Sequence, residues 1–127
     1  MRVELQGADV MASSGIDDEV PRGGVALVQD IDAYNLISRS IVLTVVSEIA
    51  SPGLSFTQHG SSWETRIELN PYRRGTFEVA VDRTDLVHDW ERCRASSVHQ
   101  LTLRATYQPG PIGPKEELGN RVLRTLC

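Results

Sequence analysis

The 127-residue sequence is short of several things that would announce a function. Its two cysteines, Cys93 and Cys127, are too few for a disulfide scaffold, which leaves the redox compartment open and one bridge between them unargued. Lysine occurs once, at Lys115, so twelve of the thirteen basic side chains are arginine. That bias reads as GC-rich coding composition, with bidentate recognition of carboxylate or phosphate as the second reading. Seventeen acids against thirteen bases give a net charge of -4, and no segment gathers a run of positive charge, which disfavours binding to nucleic acid. The longest apolar run, Ile41 to Val46 with Thr44 inside it, falls far short of the ~20 residues a helix needs to cross a bilayer, so no membrane insertion is expected. The first residues carry Glu4, Asp9 and the Asp17-Asp18-Glu19 cluster where a signal peptide needs a basic start and an apolar stretch. The chain as given is expected to be cytoplasmic, or secreted and already processed.

Catalytic and metal signatures are missing too. There is no phosphate-cradling Gly-Lys-Ser/Thr loop, no dinucleotide fingerprint, no Gly-x-Ser-x-Gly elbow, no His-Glu-x-x-His and no Cys-x-x-Cys. His59, His88, His99 and Cys93 are the internal nitrogen and sulfur donors suited to zinc, and their settings read as loop, helical turn and core boundary rather than as a ligand set. Asp30-x-Asp32 followed by Asn35 resembles the start of a calcium loop, yet the sixth and twelfth positions counted from Asp30 are Asn35 and Ile41 where Gly and Glu are required. A site drawing on Asp82, Asp85 or Asp89 from another loop stays open, and solvated carboxylates are the preferred reading. No cofactor and no catalytic residue is expected.

What the sequence does have is a period of two. In Trp63 to Leu69 the apolar side chains Trp63, Ile67 and Leu69, with Thr65, alternate with Glu64, Arg66 and Glu68, the pattern of a half-buried strand. Phe77, Val79 and Val81 repeat it against Glu78 and Asp82. His99, Leu101, Leu103, Ala105 and Tyr107 do so against Gln100, Thr102, Arg104 and Thr106. Arg39 to Ile49 is apolar on both sides and belongs in the middle of a sheet or under a covering tail. Val25–Val28, Leu54–Thr57 and Arg2–Gln6 are shorter candidates. Between the first two strands, Asn70-Pro71-Tyr72-Arg73-Arg74-Gly75 concentrates turn formers, and we read a hairpin with Tyr72, Arg73 and Arg74 at its tip and Gly75 supplying a positive φ.

Leu86, Trp90 and Cys93 break the alternation with helical spacing, so one short helix or helical turn is expected within Arg83 to Arg94. Residues 1–24 and 108–127 lack clear periodicity or are rich in Pro and Gly, and read as extended terminal arms around a body at 25–107. The expected architecture is all-β, a single antiparallel two-sheet β-sandwich of immunoglobulin-like or jelly-roll-like type. Trp63 and Trp90 fall on apolar faces as core anchors.

Function then rests on interaction chemistry. The preferred expectation is a non-enzymatic structural or assembly subunit, a virion, phage or fibre component for example, whose arms dock on neighbouring copies in a homo-oligomer or larger assembly. The alternative is an immunoglobulin-like recognition or adhesion module that presents Tyr72, Arg73 and Arg74 to a protein partner, since tyrosine and arginine are enriched where binding energy concentrates.

Overall fold

The computed structural model describes residues 2–19, 26–49, 54–83, 98–110 and 113–126. These residues form β1 Arg2–Gln6, β2 Val10–Glu19, β3 Ala26–Asn35, β4 Ile41–Ile49, β5 Leu54–Phe56, β6 Ser62–Leu69, β7 Arg74–Arg83, β8 Val98–Pro109 and β9 Glu116–Leu126. One sheet has the order β1-β2-β3-β7-β5 and the other β6-β4-β8-β9, with every pairing antiparallel. The expected two-sheet sandwich is therefore present. Among the described residues no helix is long and apolar enough to cross a membrane.

The period-two faces close on one core. Ile41, Leu43, Val45 and Ile49 of β4 are buried opposite Leu69 of β6 and Leu101, Leu103, Ala105 and Tyr107 of β8. Ile31, Ala33, Val79 and Val81 face them from the first sheet. β4 lies between β6 and β8, which accounts for its half-buried outer residues Val42, Thr44 and Val46. Trp63 on β6 joins the layers, its ring 6.0 Å edge-on from Phe56 of β5 and 5.3 Å from Phe77 of β7.

Several expectations change. The terminal segments, read as extended arms, contain paired strands. β1 and β2 make a hairpin that extends the first sheet, with Leu5, Val10, Ala12, Ser14 and Ile16 buried, and β9 completes the second sheet with Leu118 and Leu123 in the core. Small and polar residues at the inward positions of β2, Ala12 and Ser14, had diluted its alternation. In β9 a bulge between Ala105 and Thr106 of its partner lets Leu118 turn inward beside Gly119, whose φ of 150° suits glycine. The second correction concerns β6 and β7, which are not a hairpin: β6 pairs with β4 and β7 with β3 and β5. Alternation places an apolar face but does not say which sheet carries it, and here every connection from β3 to β8 crosses between sheets. The expected helical turn falls, after Arg83 at the end of β7, on 84–97, outside the described residues, as do Leu86, Trp90, Cys93 and Cys127.

Among the described residues four polar side chains are buried, Ser14, Gln29, Asn35 and Ser47, and Gln29 joins two of the others. Gln29 of β3 is fully buried; its Oε1 accepts from Ser47 Oγ of β4 at 2.9 Å and from Trp63 Nε1 of β6 at 3.2 Å, while Nε2 donates to Ser14 Oγ of β2 at 3.3 Å. The amide thus links both sheets and is satisfied by doing so. Substituting Gln29→Ala strands the Ser47 and Trp63 donors, each costing ~1–3 kcal/mol when buried unpaired. Urea denaturation is expected to show a loss of ~3 kcal/mol or more. A loss no larger than that of Ser14→Ala would show that the amide does not couple the sheets.

Candidate functional site

The candidate site is built where β3 leaves the first sheet and the β6–β7 connection returns to it. Asn35, the last residue of β3, is buried and spends its side chain on main-chain groups. Nδ2 donates to the carbonyl oxygens of Arg39 at 2.7 Å and of Leu69 and Asn70 at 3.1 Å, and Oδ1 accepts from Ile37 N at 3.0 Å. The backbone adds Asn35 N to Arg73 O at 3.0 Å, Tyr72 N to Ile37 O at 3.2 Å and Arg73 N to Asn70 O at 3.0 Å. One asparagine therefore fastens the 36–40 and 70–73 loops to each other.

This anchoring explains what the two loops expose. Tyr72 is 68% exposed and sits at φ 57°, a left-handed conformation uncommon for a non-glycine residue that the flanking hydrogen bonds hold in place. The positive φ expected at Gly75 is thus at Tyr72. Gly75 lies inside β7 for a different reason: a Cβ there would come within 2.6 Å of Leu69 Cδ2 and 2.9 Å of Ile67 Cγ2, so the close approach of β6 to β7 favours glycine unless these side chains shift. Tyr34 and Leu36 are also exposed, so three of the four exposed large apolar side chains among the described residues lie at this end. Arg39 and Arg73 are exposed beside them.

Of the three expected tip residues, Tyr72 and Arg73 are on the loop, and Arg74 is not. Arg74 opens β7, lies 5.8 Å from the Tyr34 ring centroid, and grips Asp32 through Nε at 2.7 Å and Nη2 at 2.9 Å. These bonds hold its guanidinium above the usual range. Asp30 is taken in the same way: Arg2 reaches over β2 to meet its Oδ1 at 3.0 Å and Oδ2 at 2.7 Å, touching Ser13 Oγ on the way at 2.9 Å. The calcium-loop reading of Asp30 and Asp32 is replaced by two arginine pairs on the outer face of a strand. Its premise also fails, because β3 runs through both residues to Asn35. Among the described residues no cluster of three or more His, Cys, Asp or Glu side chains is placed to hold a metal ion. His59 is exposed in the β5–β6 turn, His99 lies on β8, and His88, Asp85 and Asp89 fall outside the described residues. Beside the Arg74–Asp32 pair, a shallow depression of about 470 Å³ is lined by Asp30, Asp32, Arg74, Thr76, Phe77 and Glu78.

Sequence reasoning missed Tyr34, Leu36 and Asn35. The signal was their phase: in β3 the inward set is Gln29, Ile31, Ala33 and Asn35, which leaves an aromatic, Tyr34, in step with Asp30 and Asp32 on the outer face.

No protein-family model matches the chain, and no curated protein matches it. Solved structures do. The GAE domain of GGA2p from Saccharomyces cerevisiae superposes with a TM-score of 0.57 at 10% identity, over 98% of this chain and 97% of that one. The yeast GGA1 GAE domain-P21 structure gives 0.54 at 18% identity, over 94% and 96%. The likeness is one of fold. It places the chain among immunoglobulin-like β-sandwiches, with the two sheets and terminal strands described above.

At the same end, Tyr107 of β8 ties down the start of β9. Its hydroxyl donates to Glu116 Oε2 at 2.6 Å, and this bond, burial and the nearby charge of Asp9 push its pKa up to about 12 from 10.0. Because the folded value is the higher one, the stability Tyr107 contributes is whole below pH 10.0 and is lost as pH rises through about 12. The stability difference between wild type and Tyr107→Phe, from urea curves at successive alkaline pH values, is expected to shrink across that window. A difference that stays constant would dissociate the hydroxyl from Glu116.

Proposed function

We propose that the chain is a non-enzymatic protein-recognition module, and that the end carrying Tyr34, Leu36, Tyr72 and Arg73 meets the partner. The observation that carries this reading is the gathering of exposed apolar side chains at the end of β3 and on two loops that a single buried asparagine fastens together. An exposed tyrosine beside an arginine, already ordered, offers contact area and directional hydrogen bonds at little entropic cost on binding. The GAE domains that share its fold are protein-interaction modules, which supports the same class of function. The assembly-subunit reading relied on free terminal arms to lend to neighbours, and β1, β2 and β9 occupy those segments.

Arg74 drops out of the test, because Arg74→Glu would set a carboxylate against Asp32 and disturb the sheet itself. The informative variant is Tyr72→Ala with Arg73→Glu, compared with Glu64→Arg on the outer face of β6. Quantitative capture of proteins from the source cells is expected to lose its specific partner with the loop variant and keep it with the β6 variant. Melting temperatures should stay within a few degrees of wild type in both, as for surface substitutions generally. Retention of the partner by the loop variant, or equal loss with Glu64→Arg, would remove this end as the binding site.

A further inference from the structure

A second surface emerges from how the sheet edges are finished. β5 pairs with only the last part of β7, Leu54 to Arg83, Ser55 to Asp82 and Phe56 to Val81, and Thr57 N then reaches Ala80 O at 2.9 Å. There the chain turns away: His59 N and Gly60 N both bond Phe56 O at 3.0 Å, and Gln58 and Gly60 take φ values of 67° and 72°. The turn carries the chain into β6 of the other sheet. β7 continues to Arg74, and among the described residues no strand lies beside Arg74 to Val79 on that side.

Parity identifies the groups left over. Asn35 N bonds Arg73 O, so the alternation of an antiparallel ladder turns the main-chain groups of Gly75, Phe77 and Val79 toward β3. Those of Thr76 and Glu78 turn outward, in step with Ala80 O, whose acceptor Thr57 already uses. Thr57 itself buries its Oγ1 with no partner among the described residues where the pairing stops.

The remaining edges are defended. β6 carries exposed Glu64, Arg66 and Glu68 along its outer positions, β9 has its bulge and an exposed Arg121 opposite buried Leu103, and β1 packs against β9 with Leu5 beside Gly119. The open stretch of β7 has an uncharged, β-favouring Thr76 at its centre and the depression alongside.

We propose that Arg74 to Val79 of β7 is a docking edge for an extended segment of a partner protein, added antiparallel in line with β5. The side-chain chemistry of that segment follows from the two faces it would join. Inward, it meets half-buried Phe77 and Ile67, so alternate residues are apolar. Outward, Asp30 and Asp32 are neutralised by Arg2 and Arg74, whereas exposed Glu78 has no partner among the described residues, so the residue opposite it is basic. The occupant is a strand with apolar side chains at alternate positions and a basic one opposite Glu78.

The probe is a short synthetic peptide alternating valine and lysine, titrated into the full chain and followed by amide hydrogen exchange and NMR. In the free chain the Thr76 and Glu78 amides are expected to exchange quickly while Phe77 and Val79 are protected. The peptide should slow Thr76 and Glu78 and shift their resonances. The same peptide N-methylated on one edge should not bind, and Glu78→Lys should weaken the unmodified peptide about tenfold. The Tyr72→Ala, Arg73→Glu chain should bind it as wild type does, which separates this edge from the loop end. Protection of Thr76 and Glu78 before any peptide is added would overturn the proposal. So would binding that survives N-methylation, or resonance shifts confined to other strands.

Discussion

Two apolar sheets attract each other without direction, and faces of Leu, Ile and Val would pack in more than one offset. A buried amide removes that freedom, because its hydrogen bonds are made at one offset and left unmade at every other. Gln29 is such a group: its partners sit on β2 in its own sheet and on β4 and β6 in the opposite one. The position of β6 then places Trp63 against Phe56 and Phe77, and the crossing from β6 to β7 sets the close approach that favours glycine at position 75. The loop that follows Leu69 inherits its location from this arrangement.

Asn35 does at the end of the sandwich what Gln29 does in the middle. Both lie on β3 in the inward phase, and both join parts of the chain remote in sequence. The outer face of the same strand is handled by charge rather than burial, with Asp30 and Asp32 binding β1 and β7 through exposed arginines. Exposed pairs of this kind contribute little to stability. Their greater effect is on surface character: they cancel two of the acids on that face, while Glu78 has no partner among the described residues.

Much of the fold was legible because burial on one face writes itself into a strand as alternation. Trp63 to Leu69, Phe77 to Val81 and Leu101 to Tyr107 are inward where their period put them. Partnership was not legible, since Phe77 would show the same phase in either sheet. β2 was hidden by Ala12 and Ser14, and the length of β3 by acids whose counter-ions stand 28 and 42 residues away. The candidate site was half visible: Tyr72 and Arg73 stood out by residue type. Tyr34 and Leu36 required knowing that β3 extends to Asn35, and Arg74 looked like its neighbour until the start of β7 drew it into the sheet.

The groups that Asn35 holds are Arg39 O, Leu69 O, Asn70 O and Ile37 N, all of them main-chain atoms. A clamp that reads only peptide groups is indifferent to what the loops carry. Side chains at 36, 38, 39 and 73 can be exchanged without disturbing the frame that presents them, whereas position 72, at φ 57°, admits fewer residue types. A combinatorial library confined to these positions would sample new paratopes on a constant template.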